Sequence, residues 1–327
     1  MDYLNKLSDK DLFEIGLIRK DNEVKIYIPN DANIYNMTLG GYLSKEHINN
    51  PALIFEDKNG NVINYTFGEV EAMSNGLASK LSSLGYNFGS NIAVHTGQHP
   101  DTAIAHRAKC KIGGEAVTLS QLYGPETLKH ALNDCKVEVL ITSNNAWNKL
   151  RQTKATSFPY LKYVILRDPD LGQNEISLTD AYLFESNFKA NFGSANDPAL
   201  LMYTSGSTGK PKGILHGHRV LASYRPSINL FFNLSMKDKN AVYWSPSDWA
   251  WVGGLLDMLF PAWMAGKPIA TSEDRFNADW AYKFIERHKV THTFLAPTAI
   301  KRMAQVQNPN ELYDLSLKII CTGGEAL

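Results

Sequence analysis

The sequence predicts an α/β fold in which layered parallel sheets are flanked by helices. Along most of the 327 residues, short apolar segments of strand length alternate with longer segments whose apolar residues recur every three or four positions. Apolar strands in strand–helix–strand order are typical of parallel sheets covered on both faces. The chain contains no internal repeat or low-complexity tract, which excludes a solenoid.

The composition indicates a globular protein without a strongly charged partner. Hydrophobic residues make up 44% of the chain and charged residues 20%, as in ordinary globular domains. The 33 Lys and Arg residues balance the 33 Asp and Glu residues. We therefore expect neither a nucleic-acid partner nor binding to an anionic membrane surface.

The cysteines and the apolar segments predict a cytoplasmic protein. Cys110, Cys135 and Cys321 form no C-x-x-C pair, which indicates reduced thiols. The N-terminus shows no secretory signal. The most apolar segment, 253–265, is interrupted by Asp257 and is too short to cross a bilayer. We expect no membrane span.

The pattern divides the chain into three parts. Residues 1–50 are polar and turn-rich, and we interpret them as an N-terminal extension that wraps the body. Residues 51–190 are predicted to form a first α/β subdomain, and residues 191–327 a second one. The polar segment 184–198 connects the two.

Strands and helices alternate in the first subdomain. A helix opens at Thr66, with Glu69 three residues later as in a capping box, and ends at Gly85. Two more helices are predicted over 100–111 and 125–135. The predicted strands are 52–55, 62–65, 91–94, 116–119, 139–141 and 163–166.

The second subdomain continues the alternation. A helix that begins near His218 directs Tyr224 and Ile228 toward a core, and the next helix is predicted to have Asp248 as its N-cap. A third helix begins at the predicted N-cap Asn277. The predicted strands are 199–203, 268–270, 293–295 and 317–321.

One loop of the second subdomain is suited to binding a polyphosphate. The apolar run 200–203 leads straight into residues 204–213, which hold four hydroxyl side chains, three glycines and two lysines. Glycines let backbone N–H groups turn toward one point, and such a nest attracts anions. The hydroxyls add hydrogen-bond donors, and the lysines add positive charge.

The spacing in this loop differs from that of other phosphate loops. A Walker A loop has Ser or Thr after its lysine, whereas Pro211 follows Lys210 here, and G-x-G-x-x-G does not match either. A flexible Ser/Gly linker is the structural alternative, but linkers lack an apolar strand in front and a Pro-Lys-Gly sequence behind. The failed Walker A match also disfavours an unrelated phosphotransferase.

The loop resembles the phosphate loop of the adenylate-forming enzymes, the group of acyl-CoA synthetases, luciferases and peptide-synthetase adenylation domains. The resemblance covers about residues 50–327, and the chain is most similar to acetyl- to medium-chain acyl-CoA synthetases. Other segments resemble further parts of that family in the same order: 65–70, 93–128 with its Gly-Pro-Glu at 124–126, 244–251, and 322–327.

The resemblance implies roles for particular residues. Those expected to hold the β- and γ-phosphates of ATP are Thr204, Ser205, Gly206, Ser207, Thr208, Gly209, Lys210 and Lys212, of which Thr204 and Lys212 also carry the catalytic role. Those expected at the adenine are Gly323, Gly324, Glu325 and Ala326. Those expected to wall the tail of the carboxylate substrate are Trp251, Val252 and Gly253.

Some of these residues have a plausible structural role instead. Lys210 is equally explained as a solvated flank of the loop, and Trp251 as a residue of the core, although Trp249 and Trp263 fit the core better. No metal site is predicted within the chain. His288 and His292 form an H-x-x-x-H pair, but a strand is predicted to begin between them, so they do not share a helical face.

The implied reaction joins a carboxylate to the α-phosphate of ATP, releases pyrophosphate, and then transfers the acyl group to the thiol of coenzyme A. ATP, Mg²⁺ and coenzyme A are the expected cofactors and co-substrates. Lys210, Lys212 and Mg²⁺ fit an electrostatic role at the phosphates, and no protein nucleophile is needed.

The resemblance also implies an incomplete large N-terminal domain of an adenylate-forming enzyme. In that family a magnesium-binding glutamate, a ribose-binding aspartate and the lysine of a mobile C-terminal lid domain follow the Gly-Gly-Glu turn, here 323–325. We expect this fragment not to turn over alone. Two alternatives stay open: an ATP-binding sensor or pseudoenzyme, and an amino-acid-activating adenylation domain, for which Asp257 is the one stray acid near the pocket motif.

Overall fold

A computed structural model describes residues 2–38, 44, 46–152, 158–167, 171–185, 187–191, 193–204 and 210–326. The strands of these residues, in chain order, are β1 (Leu17–Lys20), β2 (Glu23–Ile26), β3 (Pro51–Glu56), β4 (Val62–Thr66), β5 (Asn91–His95), β6 (Glu115–Thr118), β7 (Val139–Ser143), β8 (Tyr163–Arg167), β9 (Glu175–Ser177), β10 (Pro198–Thr204), β11 (Lys212–Gly217), β12 (Tyr243–Trp244), β13 (Ile269–Ser272), β14 (His292–Phe294) and β15 (Ile319–Cys321).

The helices of the same residues separate most of these strands. They are α1 (Asp2–Lys6), α2 (Asp9–Glu14), α3 (Ile34–Met37), α4 (Phe67–Ser83), α5 (Pro100–Ile112), α6 (Pro125–Asp134), α7 (Asn144–Arg151), α8 (Leu178–Tyr182), α9 (Arg219–Phe231), α10 (Val252–Gly254), α11 (Phe260–Met264), α12 (Ala278–His288), α13 (Pro297–Met303) and α14 (Pro309–Leu312). A π-helical segment, Leu255–Leu259, joins α10 to α11.

Two large sheets organise the chain. The first has seven strands in the order β11-β10-β6-β5-β7-β8-β9, and the second has six in the order β15-β14-β12-β13-β3-β4. All neighbouring pairs are parallel except the hairpins β10–β11 and β3–β4. The predicted α/β fold with layered parallel sheets is confirmed.

Helices fill the space between the sheets and cover their outer faces. The largest core cluster joins Leu53 of the second sheet and Leu200 of the first to side chains of α4, α5, α9 and the 255–264 segment. A second cluster packs α6 and α7 on the other face of the first sheet, and a third packs α12 and α13 on the other face of the second sheet. The layers therefore run helix, sheet, helix, sheet, helix.

Local sequence signals placed most elements correctly. Each of the ten predicted strands is present, with bounds shifted by at most two residues. Thr66 and Glu69 form the predicted capping box, and the Asn277 side chain accepts a hydrogen bond from Trp280 N as an N-cap should. Gly113, which follows α5, and Gly85 have positive φ angles of 69° and 89°, and such left-handed backbone ends a helix most easily at glycine.

The sheets do not follow the division predicted at residue 190. Strands β3 and β4, in the first predicted subdomain, join the second sheet because β3 pairs in parallel with β13. Strands β10 and β11 join the first sheet because β10 pairs in parallel with β6. Strand pairing over such distances depends on tertiary contacts, so whether residues 51–190 and 191–327 act as separate units stays a prediction.

The first 50 residues contact the body. The Ile34 backbone N–H donates to His218 Nδ1 at 3.3 Å, and the Tyr35 hydroxyl bonds Glu71 Oε1 at 3.0 Å. The Arg225 guanidinium donates to the Glu14 carbonyl at 2.5 Å. Among the described residues, no helix is long and apolar enough to cross a membrane.

Candidate functional site

The main cavity, of about 1070 Å³, opens where the carboxyl ends of parallel strands from both sheets meet. The segments that follow five strands contribute to its wall, and they are 96–98 after β5, 121–122 after β6, 246–248 after β12, 273–276 after β13 and 322–324 after β15. In open α/β sheets ligands bind beyond the carboxyl ends of the strands, so the topology itself creates this site.

The predicted substrate residues and part of the predicted adenine turn line the same cavity. Trp251, Val252 and Gly253 contribute one side, while Gly323 and Gly324 contribute another. The sequence separates these two groups by about 70 residues, and the fold brings them together because β14 pairs with both β12 and β15. The ligand roles of these five residues remain predictions.

Phe294 lies between the two groups of glycines. A Cβ atom on Gly253 would approach Phe294 Cε1 to 2.6 Å, so a side chain at that position requires the phenyl ring to move. A Cβ atom on Gly323 would lie 3.9 Å from Phe294 Cε2, its nearest neighbour among the described residues. Gly253 therefore packs closely against Phe294, whereas Gly323 leaves space that a ligand can use.

Trp251 belongs to the wall of the cavity and not to the buried core. Its side chain is half-buried and meets Tyr123 edge-on, with ring centroids 5.6 Å apart. Trp249 and Trp263 are each 1% exposed and belong to the core between the sheets. The structure therefore favours a wall position over core packing for Trp251.

Asp248 is not the N-cap of the following helix, contrary to the sequence prediction. Helix α10 begins at Val252, and its N-cap residue Trp251 makes no side-chain capping bond. The Asp248 carboxylate instead accepts hydrogen bonds from Ser120 Oγ at 2.7 Å and from the backbone N–H groups of Gln121 and Ala250 at 3.2 and 3.0 Å. Ser120 and Gln121 follow β6 of the first sheet, so the carboxylate connects the loop before α10 to that sheet.

Burial and hydrogen bonding act in opposite directions on this carboxyl. Burial raises the pKa of Asp248, and the hydrogen bonds from Ser120, Ala250 and Gln121 oppose the shift. Gln98 also holds this loop, because its side-chain amide donates hydrogen bonds to the carbonyl oxygens of Ser245, at 2.9 Å, and of Ser247. The loop 245–248 is therefore held by side chains of the opposite sheet.

The predicted phosphate loop lies between the two strands of a hairpin, β10 and β11. The structure pairs Thr204 at the end of β10 with Lys212 at the start of β11, and both side chains are exposed. The predicted phosphate ligands between them, Ser205, Gly206, Ser207, Thr208 and Gly209, lie outside the described residues. Strand β11 was missed by the sequence prediction, which placed a helix at His218 directly after the loop.

The flanks of the predicted phosphate loop and the end of the predicted adenine turn are not among the described lining residues of the main cavity. Thr204, Lys210 and Lys212 are absent from that lining. Lys210 instead borders a second cavity, of about 640 Å³, with residues of α6. Glu325 and Ala326 are absent from the lining as well. Glu325 Oε1 accepts a 3.0 Å hydrogen bond from Thr298 N, and the Ala326 carbonyl accepts one from Lys301 Nζ at 3.4 Å.

Helix α9 contributes residues to the cavity that the sequence prediction directed into the core. Tyr224 and Ile228 both line the cavity. The Tyr224 hydroxyl donates a 2.5 Å hydrogen bond to Asp257 Oδ1 in the π-helical segment. Their periodic spacing identified a buried face of the helix, but the same face covers both the core and the cavity.

The Gly-Gly turn offers space at the wall of the cavity. Gly324 adopts a φ of 95°, and a Cβ atom built on it would have no described neighbour within 4 Å. The neighbouring Thr322 Oγ1 is fully buried and has no hydrogen-bond partner among the described residues. An adenylate fits the open turn, because a purine ring needs a side-chain-free approach.

The described residues hold no group of three or more His, Cys, Asp or Glu side chains suited to a metal ion. His288 and His292 have separate structural partners. His288 Nε2 bonds Glu56 Oε2 at 2.5 Å at the end of α12, and His292 Nε2 bonds Ser235 Oγ at 2.9 Å from strand β14. As predicted, the two histidines do not share a helical face.

Comparison with known proteins gives one family match. The model of the family described as AMP-binding enzyme matches residues 43–327. Acetyl-coenzyme A synthetase of Rubrobacter xylanophilus is 28% identical over 306 residues, which is 84% of this chain and 46% of the relative. The Bacillus subtilis acetyl-coenzyme A synthetase is 28% identical over 269 residues, 80% of this chain and 46% of the relative. The chain spans about half the length of these relatives.

Solved structures share the fold. A Brucella canis acyl-CoA synthetase superposes with a TM-score of 0.83 at 19% identity, over 100% of this chain and 57% of its own. The anthranilate CoA ligase AuaEII in complex with anthranoyl-AMP superposes with a TM-score of 0.79 at 22% identity, over 92% of this chain and 56% of its own.

Proposed function

This chain belongs to the AMP-binding enzyme family, and on that premise we propose that it is the ATP- and carboxylate-binding part of an acyl-CoA ligase that acts on acetate to medium-chain acids. One observation carries the proposal most directly. Trp251, Val252 and the open Gly323-Gly324 turn line the same cavity between the sheets. An acyl-adenylate has the matching parts, an apolar tail for the tryptophan wall and a purine for the glycine turn.

The proposed reaction has two steps. A carboxylate oxygen bonds to the α-phosphorus of ATP while the bond to pyrophosphate breaks, which gives the acyl-adenylate. The thiolate of coenzyme A then bonds to the acyl carbon, and AMP leaves. Positioning and stabilisation of the negative charge supply most of the rate in such a reaction.

In this proposal Lys212, with Thr204, binds the polyphosphate beside the loop 205–209. The exposed position of both side chains at the two ends of the β10–β11 turn supports it. Lys210 has the weaker assignment, because it borders the cavity beside α6. Mg²⁺ would accompany ATP and offset its phosphate charge. Ser205, Gly206, Ser207, Thr208 and Gly209 complete the proposed phosphate site, and Glu325 and Ala326 the proposed adenine site.

Cytoplasmic localisation and a place in fatty-acid metabolism belong to the same proposal. Cys110, Cys135 and Cys321 are free and buried, which supports a reducing compartment. The names of the relatives supply the acyl-CoA product, acetyl-coenzyme A in the two sequence matches.

Carboxylate-dependent exchange of labelled pyrophosphate into ATP tests the proposal. The assay uses the protein expressed from its complete gene, with acetate, butanoate, hexanoate and the twenty amino acids as separate substrates. We expect exchange with at least one fatty acid, and strong reduction by Lys212→Ala but not by Lys237→Ala, an exposed lysine away from the loop. ATP binding without exchange on any acid would favour the sensor alternative, and exchange on amino acids alone would favour an adenylation domain.

A further inference from the structure

The wall of the main cavity contains a carboxylate for which the proposed reaction has no use. Asp257 lies at the centre of the π-helical segment, is 8% exposed, and lines the cavity. A π-helical turn inserts an extra residue into a helix and is common at functional sites. Here it follows directly after the wall residues Trp251 and Val252.

Apolar side chains of neighbouring elements line the same cavity as Asp257. They include Ile228 and Phe231 of α9, Val252 of α10 and Phe294 of β14, beside polar and charged residues such as Ser227 and Arg275. Burial raises the pKa of the nearby Cys321 thiol, and the charge of Asp257 adds to this shift. A carboxylate in such surroundings is costly unless donors or a positive charge compensate it.

The described residues compensate Asp257 only partly. Its Oδ1 atom accepts the hydrogen bond from Tyr224, and no described Lys, Arg or His forms an ion pair with it. Burial raises the pKa of Asp257, and the Tyr224 bond is the opposing influence. Among the described residues no donor bonds the second oxygen, Oδ2, and this atom is not fully buried, so it is accessible from the cavity that Asp257 lines.

We infer that Asp257 selects carboxylic acids whose tail carries a hydrogen-bond donor, either an amino or a hydroxyl group. The inference rests on the proposed function, because it takes the cavity beside Trp251 as the site of the acyl tail. A plain alkyl tail would remove water from the carboxylate without replacing its hydrogen bonds. A tail with a donor bonds Oδ2, while Tyr224 retains Oδ1.

The test compares tails that differ in one group. Non-hydrolysable acyl-sulfamoyl-adenosines with ω-amino, ω-hydroxy, ω-oxo or unsubstituted tails of three to six carbons are titrated calorimetrically into the wild-type chain. At the best length, we expect the amino or hydroxy tail to bind about tenfold to a hundredfold more tightly than the alkyl tail, as one hydrogen bond to a charged group implies. Equal affinities, or a preference for the oxo tail, would overturn the inference.

Two substitutions identify the donor. Asp257→Leu should remove the preference for either donor and improve alkyl binding. Asp257→Asn keeps an acceptor without the charge, so it should keep a preference for hydroxyl and lose one for ammonium. Donor preference that persists in Asp257→Leu would contradict the inference. Tyr224→Phe leaves both carboxylate oxygens in place and should retain donor preference, which supplies a variant independent of changes at Asp257.

Sulfamoyl-adenosine without an acyl group separates this inference from the proposed function. One outcome is that sulfamoyl-adenosine binds wild type and every Asp257 variant equally while wild type binds all acyl tails with the same affinity. In that case the proposed nucleotide site stands and the inference about Asp257 fails. If neither sulfamoyl-adenosine nor any acyl analogue binds the wild-type chain, the proposed function fails and the inference with it.

Discussion

Ser120 Oγ donates a 2.7 Å hydrogen bond to Asp248 Oδ2 and so connects the two large sheets beside the cavity. Ser120 follows β6 of the first sheet, and Asp248 follows β12 of the second. The backbone N–H of Gln121 reinforces the contact from the same side. The two sheets, which have separate strand orders, are thus coupled where the ends of their strands form a common cavity wall.

Replacing Asp248 by Ala should destabilise the protein. The change leaves Ser120 Oγ and the N–H groups of Gln121 and Ala250 without their acceptor, and we expect a loss of about 2–4 kcal/mol in the free energy of unfolding. Urea unfolding followed by circular dichroism measures the loss. Asp31→Ala, at an exposed position, is the matched control and should change stability by less than about 0.5 kcal/mol. Equal stability of the two variants would show that the contact contributes little.

Two glycine-to-alanine changes should differ sharply. A Cβ atom on Gly254 would meet two backbone carbonyl oxygens, that of Ser247 at 2.5 Å and that of Asp248. A Cβ atom on Gly124 would have no neighbour among the described residues within 4 Å. Backbone cannot move aside as a flexible side chain can, so Gly254→Ala should cost more than about 2 kcal/mol of unfolding free energy. Gly124→Ala should be nearly neutral. Thermal unfolding of both proteins measures the difference in stability. A neutral Gly254→Ala would mean that Gly254 does not pack closely against the backbone of Ser247 and Asp248.

Acid should destabilise the protein before its carboxylates titrate. Burial lowers the pKa of His95 to about 4, of His218 to about 4 and of His106 to about 3. In the unfolded chain these groups titrate near pH 6.5, so between about pH 6.5 and 4 the unfolded state binds more protons than the folded state. The free energy of unfolding should therefore fall as pH falls through that window, by about 1–3 kcal/mol for each histidine.

His106 offers the clearest test of this pH dependence. Neither of its ring nitrogens has a hydrogen-bond partner among the described residues, and its ring packs edge-on against Phe260. His106→Phe should reduce the slope of stability against pH between 6.5 and 4 in urea titrations. Ile104→Leu, a volume-conserving change on the same helix, should shift the curve without altering that slope. Identical slopes in the His106 variant and wild type would argue against a buried neutral histidine.

Trp251→Gly should extend the range of acyl tails. The tryptophan closes one side of the cavity and is supported by Tyr123, so removing its ring opens space beside the tail. Two additional buried methylene groups should tighten an acyl-adenylate analogue by about tenfold relative to wild type. Calorimetry with acetyl, butanoyl and hexanoyl analogues measures the change, and unchanged AMP affinity shows that the fold persists. A uniform loss across all three tails would place Trp251 outside the acyl site.

The periodicity of apolar residues made the strands and main helices predictable, whereas the pairing of strands distant in sequence did not follow from it. Strand β11 was missed because Lys212, Gly213, His216 and Gly217 show little strand character, and its pairing with β10 supplies what propensity lacks. Strand β3 was grouped with its sequence neighbours, because nothing local reveals that its partner is β13, more than 200 residues away.

The site was predictable to the extent that it rests on short motifs. The segments around Trp251 and Gly323 were identified, and the fold places both at one cavity. Phe294 and Tyr224 were not, since their contribution depends on the angle of a strand end and of a helix, which periodicity leaves undetermined. Asp257 was noticed as an acid near the pocket motif, but its position in the wall depends on a π-helical turn that helical spacing does not predict.

Binding of a butanoyl-sulfamoyl-adenosine to wild type and Gly323→Val, measured by titration calorimetry, tests most directly whether the cavity holds an adenylate. The described residues leave room for a side chain at Gly323, where a Cβ atom would lie 3.9 Å from Phe294 Cε2, but the valine would occupy the space assigned to the ligand. We expect one analogue bound per wild-type chain and no measurable binding to Gly323→Val at unchanged thermal stability. Equal affinity for both proteins would contradict the assignment of this cavity to an adenylate.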